Sequence, residues 1–285
     1  MTDEKNTPLI VGFVADLMFA TKIENVAQQL GYRVHWVENA AIMGKFDPRV
    51  LEETPGELLH GREGQLFEAI TNWQPALLIF DLTNKQIPWQ QWIGILRSSP
   101  ATRRIPILCF GPHEDVEIMQ RAKKLGATQV VARSRFTSEL PSLLQKLVRV
   151  PNREALTKAC TEPLAETAVK GIELFNQGKF FDAHEELELA WKADKGPGRN
   201  LYRAILQIAV AYLQIERGNY RGAVKMFWRV RQWLDPLPDV CRGVNVAALR
   251  QHAEAVYEQL MALGEARITE LDRSLFQPIQ YTQPE

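Results

Sequence analysis

The sequence has few cysteines, no long apolar run and no excess of either charge. Its three cysteines, Cys109, Cys160 and Cys241, lie far apart and form no CxxC pair, so neither a disulfide framework nor a zinc knuckle is predicted and three reduced thiols are expected. No apolar run approaches the ~20 residues that a membrane-spanning helix needs. The N-terminal MTDEKNTP lacks the basic and apolar regions of a signal peptide. These absences predict a cytoplasmic protein without a membrane span.

Charge is balanced along the chain. The 285 residues include 34 basic and 34 acidic side chains, for a formal net charge of zero, which gives no general attraction to nucleic acids or anionic membranes. The basic stretches RAKKLGATQVVARSR and FWRVR are short and offset by acids elsewhere, so no nucleic-acid partner is expected. At ~100 to 200 residues per domain the length predicts two domains. We place them at residues 1–150 and 151–285, with the boundary in the Pro-bounded polar stretch VPNREALTKACTE.

Residues 8–148 alternate short apolar runs with helical periods, which is typical of a parallel sheet covered by helices. The predicted strands are PLIVGFV, RVHWV, ALLIFD, IPILCF and TQVVA, and helical patterns lie near 19–30, 62–73, 88–98, 113–125 and 137–149. The predicted class is therefore α/β, with five repeats of strand then helix. The connection at residues 39–62 is long and has no clear period. Such a loop in a compact unit is functional or mobile, and the sequence does not say which.

Four segments of this half resemble the receiver domain of two-component response regulators: QPALLIFDL, SSPATRRIPIL, HEDVEIMQRAKKLGATQVV and FTSELPSLLQKL. The resemblance implies a flavodoxin-like sheet in which an Asp at the end of the third strand accepts a phosphoryl group. It also implies an acidic pair that holds magnesium after the first strand. Asp81 matches the accepting position, whereas Val14 and Ala15 stand where the acidic pair belongs and leave only Asp16.

The remaining receiver positions also depart from the family pattern. Phe110 or Gly111 replaces the hydroxyl residue after the fourth strand, and Arg133 or its neighbour replaces the Lys after the fifth. Phosphoryl transfer depends on positioning and on charge neutralisation by metal and cation, so we predict a pseudo-receiver that is not phosphorylated. Asp81 then caps its loop or pairs with Arg133. Alternatively, the crevice around Asp16, Asp81 and Arg133 binds a ligand at the topological switch point.

The second half is helical throughout, with helices predicted at about 163–177, 179–194, 199–217, 219–234 and 245–264. Gly178 and Gly218 stand where helix C-termini favour a residue tolerant of positive φ. GKFFDAHEELELAW and GNYRGAVKMFWRV form a weak repeat 40 residues apart, which indicates helix hairpins of tetratricopeptide character and leaves a peptide-binding groove open. We predict an all-α five-helix bundle and an unstructured or draped tail from Ser274.

This half also resembles the family named domain of unknown function 309. The resemblance rests on the F-N-x-G-x-F-F-x-A-H-E-x-L-E-x-x-W run at 175–191, the Q-I-A-V-A-Y run at 207–212, and the R-G-N and G-A pairs at 217–219 and 222–223. It implies a small helical bundle of unestablished activity. It carries no reaction to transfer.

Seven residues of this bundle, most of them ionisable, form a candidate pocket: His184, Glu185, Glu188, Trp191, Arg203, Gln207 and Arg217. Helical spacing places Phe180, His184, Leu187 and Trp191 on one face, so His184 is expected to point inward. Glu188 follows His184 by one turn, and Arg203 and Gln207 of the next helix are the expected partners of this pair. Three interpretations remain open. The group is a buried network that fixes helix register, an anion or small-ligand pocket that uses Arg203 and Arg217, or a metal or hydrolytic site. For a metal site, His184 and Glu188 would be ligands, but the second His of an HExxH helix is missing.

Two classes of function follow. The first is a regulatory or scaffolding protein that binds other proteins through the pseudo-receiver and the bundle. The second is an enzyme, or a small-ligand or metal-binding protein, with its site around His184 and Glu188. The broken phosphorylation set, the neutral charge and the lack of a nucleophile paired with a base favour the first class over an enzyme. A protein partner and no cofactor are therefore predicted, while the pathway and the oligomeric state are not.

Overall fold

The chain divides into two units, Met1–Val150 and Pro151–Glu285. The computed structural model describes residues 7–51 and 58–282. Within those residues no helix has the length and apolar character to cross a membrane.

The first unit alternates strands with helices. Its elements are β1 (Leu9–Phe13), α1 (Leu17–Gln29), β2 (Arg33–Trp36), α2 (Gly61–Trp73), β3 (Leu77–Asp81), α3 (Trp89–Ser98), β4 (Ile107–Gly111), α4 (Val116–Lys124), β5 (Gln129–Ala132) and α5 (Arg133–Leu147). The strands pair in parallel in the order β2-β1-β3-β4-β5, which is the flavodoxin-like doubly wound order. The predicted α/β class and five-stranded parallel sheet are confirmed.

Strands β3 and β4 are buried at every position, because helices cover both faces of the sheet. On one face α1 and α5 pack through aromatic rings, with Phe136 stacked on Phe110 at 4.1 Å between centroids. On the other face Phe13 stacks on Phe80 at 4.2 Å, and Trp92 of α3 meets Phe13 edge-on at 5.5 Å. The apolar runs of the sequence are therefore the inner strands of the sheet.

The long connection after β2 contains two short 3-10 helices, Ala40–Met43 and Pro48–Leu51. Residues 52–57 lie outside the described part of the chain. The Asn84 side-chain amide donates to the Glu38 carbonyl at 3.0 Å. This bond ties the start of the connection to the loop that follows β3.

The second unit is helical. It contains α6 (Arg153–Ala159), α7 (Glu166–Asn176), α8 (Phe180–Ala193), α9 (Arg199–Glu216), α10 (Tyr220–Leu234), a hairpin of β6 (Val240–Cys241) and β7 (Val244–Asn245), and α11 (Val246–Leu263). The five predicted helices correspond to α7–α11. Helix α6 lies in the stretch we took for a polar linker. Its start carried a signal, since the Asn152 side chain caps it by accepting from the Ala155 amide at 2.9 Å.

Two equivalent turns join α7 to α8 and α9 to α10. Gly178 and Gly218 have φ values of 74° and 69°. In each turn the amide after the glycine donates to the carbonyl five residues back, at 2.9 Å and 2.8 Å respectively. This is the pattern of a Schellman C-cap, so the sequence repeat corresponds to a repeated helix hairpin.

Helices α7 and α8 pack closely at Gly171. A Cβ atom at this position would lie 2.7 Å from Leu187 Cγ and 3.3 Å from the Ala183 carbonyl oxygen. The small residues therefore set the buried stripe of α8, which consists of Phe180, Ala183, Leu187 and Ala190.

Cys160 and Cys241 form a disulfide across 81 residues, so the prediction of three reduced thiols is wrong. The spacing gave no signal because the pairing depends on tertiary contact: the Arg242 amide donates to the Cys160 carbonyl at 2.7 Å. Cys109 is free and buried, and burial raises the pKa of its thiol. The cytoplasmic location stays a prediction, and structural disulfides are unusual in that compartment.

The chain after α11 is draped over the second unit. Two 3-10 helices, Glu265–Glu270 and Arg273–Leu275, lead into an extended segment. Tyr281 forms an antiparallel bridge with Val244. The tail is thus ordered as far as the description reaches.

Candidate functional sites

Asp81 ends β3 with its side chain 3% exposed. Its Oδ1 accepts from the Thr83 amide at 2.9 Å and from the Thr83 hydroxyl at 2.7 Å. Its Oδ2 lies 3.6 Å from Arg133 Nη2. Because the strands are parallel, Asp81 and Arg133 meet at the carboxyl edge of the sheet, where such folds place their sites.

Arg133 holds this arrangement from the first turn of α5. Its Nη2 donates to Thr83 Oγ1 at 2.5 Å. The Thr83 hydroxyl therefore accepts a hydrogen bond from the guanidinium and donates its own to Asp81. The guanidinium carbon also lies 5.3 Å from the centroid of the Phe19 ring, a cation–π arrangement. Arg133, Thr83 and Asp81 therefore form an internal chain of charge-assisted bonds.

The other receiver positions lie away from this chain or carry apolar groups. Asp16 is exposed and caps α1 by accepting from the Met18 amide at 2.9 Å. Val14 and Phe110 are fully buried. The hydroxyl beside Asp81 comes from Thr83, a residue that sequence comparison did not single out because it follows the wrong strand for the family pattern.

Exposed apolar side chains surround the same edge of the sheet. Leu17 and Met18, which open α1, are 76% and 67% exposed. Ile42 and Phe46 follow β2, and Val116 opens α4, all three exposed. We call these five residues the apolar rim. The sequence analysis did not identify the apolar rim, because an apolar residue is assigned to the core until its burial is known.

In the second unit His184, Glu188 and Trp191 lie beside the buried stripe of α8, each partly buried. We expected the inward face to contain Phe180, His184, Leu187 and Trp191. Phe180 and Leu187 are buried as expected, but Ala183 and Ala190 take the places expected for His184 and Trp191. Ala183 and Leu187 lie where α7 approaches closely at Gly171. The ionisable residues are thereby rotated to the edge of the helix contact.

The carboxylate of Glu188 pairs with Lys192 at 3.0 Å, with the Glu188 side chain 38% exposed. The hydrogen bond from Lys192 lowers the pKa of Glu188, and the nearby His184 acts in the same direction. Glu185 is exposed. The partner that the structure gives Glu188 is therefore a surface cation one turn along α8, where we expected Arg203 and Gln207.

Arg203 lies between two tryptophan rings. Its guanidinium carbon is 4.8 Å from the centroid of Trp191 and 4.0 Å from that of Trp233. Arg199 lies 4.8 Å from the Trp191 ring as well. Two cations thus stack on one indole. The sequence analysis named Trp191 and Arg203 as candidate pocket residues, but it did not predict the stacking.

Gln207 lies within α9 and Arg217 follows its last residue. Among the described residues, Gln207 Oε1 is buried without a hydrogen-bond partner, whereas Arg217 is exposed at the C-cap of α9. The described part of the chain holds no group of three or more His, Cys, Asp and Glu side chains that could hold a metal ion. His184 and Glu188 as metal ligands stay a low-ranking proposal.

Arg242 was missed and joins several elements of the second unit. It is 5% exposed, has φ 52°, and donates to the Ala159 carbonyl at 3.1 Å and the Tyr202 hydroxyl at 2.5 Å. Its guanidinium also pairs with Glu162 at 2.7 Å. Asp194 Oδ2 lies at an ion-pair distance of 2.9 Å from it, but off the N–H direction of a hydrogen bond. The fork-shaped guanidinium suits this role, which a lysine could not fill.

Residues 168–226 match the model of a family described as Domain of unknown function (DUF309). None of the curated proteins compared matches the chain.

Solved structures similar to the chain include receiver domains. The signal receiver domain of a signal transduction histidine kinase from Syntrophus aciditrophicus is 18% identical, covers 50% of this chain and 90% of its own, and has a TM-score of 0.38. The chemotaxis response regulator CheY4 of Vibrio cholerae is 15% identical over 50% of this chain and 98% of its own, with a TM-score of 0.37. Full-length FixJ from B. japonicum is 14% identical over 94% and 97%, with a TM-score of 0.34. At these values the likeness says nothing of activity. The chain thus joins a doubly wound α/β unit to a helical unit in which residues 168–226 match the DUF309 model.

Proposed function

We propose that this chain is a regulatory or scaffolding protein whose receiver-like unit binds other proteins and is not switched by phosphorylation. The observation that carries the proposal is the internal chain from Arg133 through Thr83 to Asp81. An aspartate that accepts a phosphoryl group needs a free oxygen and a bound divalent cation beside it. Here one oxygen accepts two bonds from Thr83 and the other faces a fixed cation.

The apolar rim supports the protein-binding part of the proposal. Single exposed apolar residues are ordinary, but several around one functional edge mark an interaction surface. The five rim residues follow β1, β2 and β4, so the topology gathers them at the carboxyl edge of the sheet. A partner that covers this edge would bury the rim and leave the internal chain of Asp81 intact.

Partner capture by rim variants tests this proposal. Leu17→Glu/Met18→Glu places two charges in the rim, where burial against a partner would be costly. Partner proteins that cross-link to the wild-type chain should no longer cross-link to this variant. Cross-linking to the wild-type chain should be the same with and without acetyl phosphate and Mg²⁺.

The matched control is Leu189→Glu, which changes an exposed leucine of the helical unit. It should retain the receiver-dependent partners. Partners that bind the rim variant and the wild type alike, or that bind only after phosphate treatment, would contradict the proposal.

A small-ligand site in the helical unit is the second candidate. Gln207 Oε1 is buried without a hydrogen-bond partner among the described residues. Arg199 and Arg203, which lie on the same helix α9, stack on the Trp191 ring of α8. A ligand that donates to Gln207 should raise the unfolding temperature of the wild type and leave Gln207→Leu unchanged. Equal shifts for both proteins would exclude this site.

A further inference from the structure

The C-terminal segment lies in a groove of the second unit and contacts it as a bound peptide would. We define the tail groove as Asn176, Phe180, Tyr212 and residues 243–245, which comprise β7 and the turn residue before it. The segment begins after the 3-10 helix Arg273–Leu275 and continues without a helix to Thr282. Hydrogen bonds hold the backbone at Ile279 and Gln280, and the Phe276 ring and the Ile279 side chain, which is buried, anchor the segment.

Asn176 reads the backbone of the segment. Its Nδ2 donates to the Ile279 carbonyl at 3.0 Å, and its Oδ1 accepts from the Ile279 amide at 2.7 Å. One side chain thus satisfies both polar groups of a single extended residue. Such a clamp depends on the backbone and not on the identity of the residue, except that a proline could not donate.

Two further contacts fix the position of the segment. The Phe276 ring stacks on Tyr212 at 4.1 Å with an interplanar angle of 6°, and meets Phe180 edge-on at 5.7 Å. The Asn245 amide donates to the Gln280 carbonyl at 2.9 Å. The segment therefore pairs with the hairpin edge through one antiparallel bridge, between Tyr281 and Val244, and pairing along a strand edge is a recurring mode of peptide recognition.

The charges at the groove ends limit the occupant. Tyr281 hydrogen-bonds Glu173, which raises the pKa of that tyrosine after the larger effect of desolvation. At the other end Glu216 lies 3.9 Å from Arg273. An acidic segment would meet like charge at both ends, so a neutral or basic segment fits.

We propose that the tail groove is a peptide-binding site for a partner protein, and that the chain's own tail is its resident occupant. The partner segment is extended and neutral or basic, with an aromatic residue followed three positions later by a branched aliphatic residue that keeps its N–H. This inference deepens the protein-binding function proposed above and rests on it. Since a tethered tail acts at about millimolar effective concentration, a free peptide binds well only when the tail is weakened.

Fluorescence anisotropy with a labelled peptide of residues 272–282 tests the proposal on the full chain. Phe276→Ala/Ile279→Ala removes both tail anchors and leaves the groove unchanged. The peptide should bind this variant at least about tenfold more tightly than the wild type, as expected when a tethered competitor is lost. Adding Asn176→Ala should reverse the gain, and a peptide with Ala at the Phe276 position should not bind.

Several outcomes would overturn the proposal. These are equal binding by wild type and tail variant, binding that survives Asn176→Ala, and a wild-type dimer that Phe276→Ala disrupts, which would indicate exchange of tails between two copies. If the double variant fails to fold, Phe276→Leu carries the same comparison. Leu17→Glu/Met18→Glu should leave peptide binding unchanged, so failure of the rim proposal and failure of this one are distinguishable.

Discussion

Single residues decide whether the receiver-like unit can carry out phosphoryl chemistry. The receiver resemblance predicts a Lys at Arg133 or its neighbour, and the planar fork of Arg133 reaches Thr83 while facing Asp81. The Thr83 hydroxyl in turn donates to Asp81. That Val14 and Ala15 stand where an acidic pair is expected was visible in the sequence, whereas the contact between Arg133 and Thr83 was visible only in the structure.

Thr83→Val removes the hydroxyl from this chain and keeps the shape of the side chain. The buried Asp81 carboxylate then loses a donor, and we expect the free energy of unfolding of the first unit to fall by ~1–3 kcal/mol. Chemical denaturation followed by tryptophan fluorescence measures the loss. Ser142→Ala, which removes an exposed hydroxyl bonded to the Glu139 carbonyl, should change it by under ~0.5 kcal/mol. Equal effects of the two variants would mean that Thr83 does not support Asp81.

Glu188→Ala should cost less than ~1 kcal/mol, because the pair with Lys192 is at the surface. The pKa of Glu188 is lowered in the folded state, so the contribution is present above the pKa of the unfolded chain and is lost as pH falls through the folded value. Wild type and variant should therefore differ at neutral pH and converge as pH falls below the ordinary pKa of a glutamate, about 4.3. Denaturation at several pH values measures both. A cost of ~3–5 kcal/mol would restore the buried-network hypothesis.

At the scale of elements, helix existence was predictable and helix rotation was not. Helical period identified α8, but its buried face includes Ala183 and Ala190 in place of His184 and Trp191, and α7 approaches this face closely at Gly171. His184 was assigned inward on spacing alone. Spacing fixes which residues share a face, and only the neighbouring helix decides which face is buried.

Two glycines, one in a hairpin turn and one inside a helix, give predictions of opposite sign. Gly178 has φ 74° with open space around it, so Gly178→Ala should destabilise the helical unit by about 1–2 kcal/mol through backbone strain alone. Gly94 lies inside α3 and a Cβ there would meet only Leu125 Cδ2 at 3.7 Å. Gly94→Ala should stabilise by ~0.5–1 kcal/mol. Thermal or chemical unfolding of both variants measures the two effects, and loss at Gly94 equal to that at Gly178 would contradict the assigned backbone conformations.

At the scale of the whole molecule, the pattern of apolar residues predicted the fold class, but it did not predict the contacts between residues far apart in the sequence. Alternating apolar runs identified all five strands, and the receiver resemblance supplied their order. The disulfide, the Arg242 contacts and the tail groove join residues far apart in sequence. No local pattern encodes such contacts, so they had to be observed.

Reduction of the Cys160–Cys241 disulfide should weaken the second unit alone. The bond closes a loop across 81 residues, and losing such a bond typically costs ~2–5 kcal/mol. We expect Cys160→Ser/Cys241→Ser, or added reductant, to shift unfolding of the helical unit. Unfolding of the α/β unit, which holds only the thiol of Cys109, serves as the internal control. An unchanged helical transition would mean that the two thiols are reduced in the native protein.

Intact-mass analysis after incubation with acetyl phosphate and Mg²⁺ tests the central claim most directly. The internal chain of Arg133, Thr83 and Asp81 predicts an unchanged mass, while a phosphorylatable receiver domain in the same reaction gains one phosphoryl group. Stoichiometric addition of a phosphoryl group to this chain, mapped to Asp81, would contradict the account.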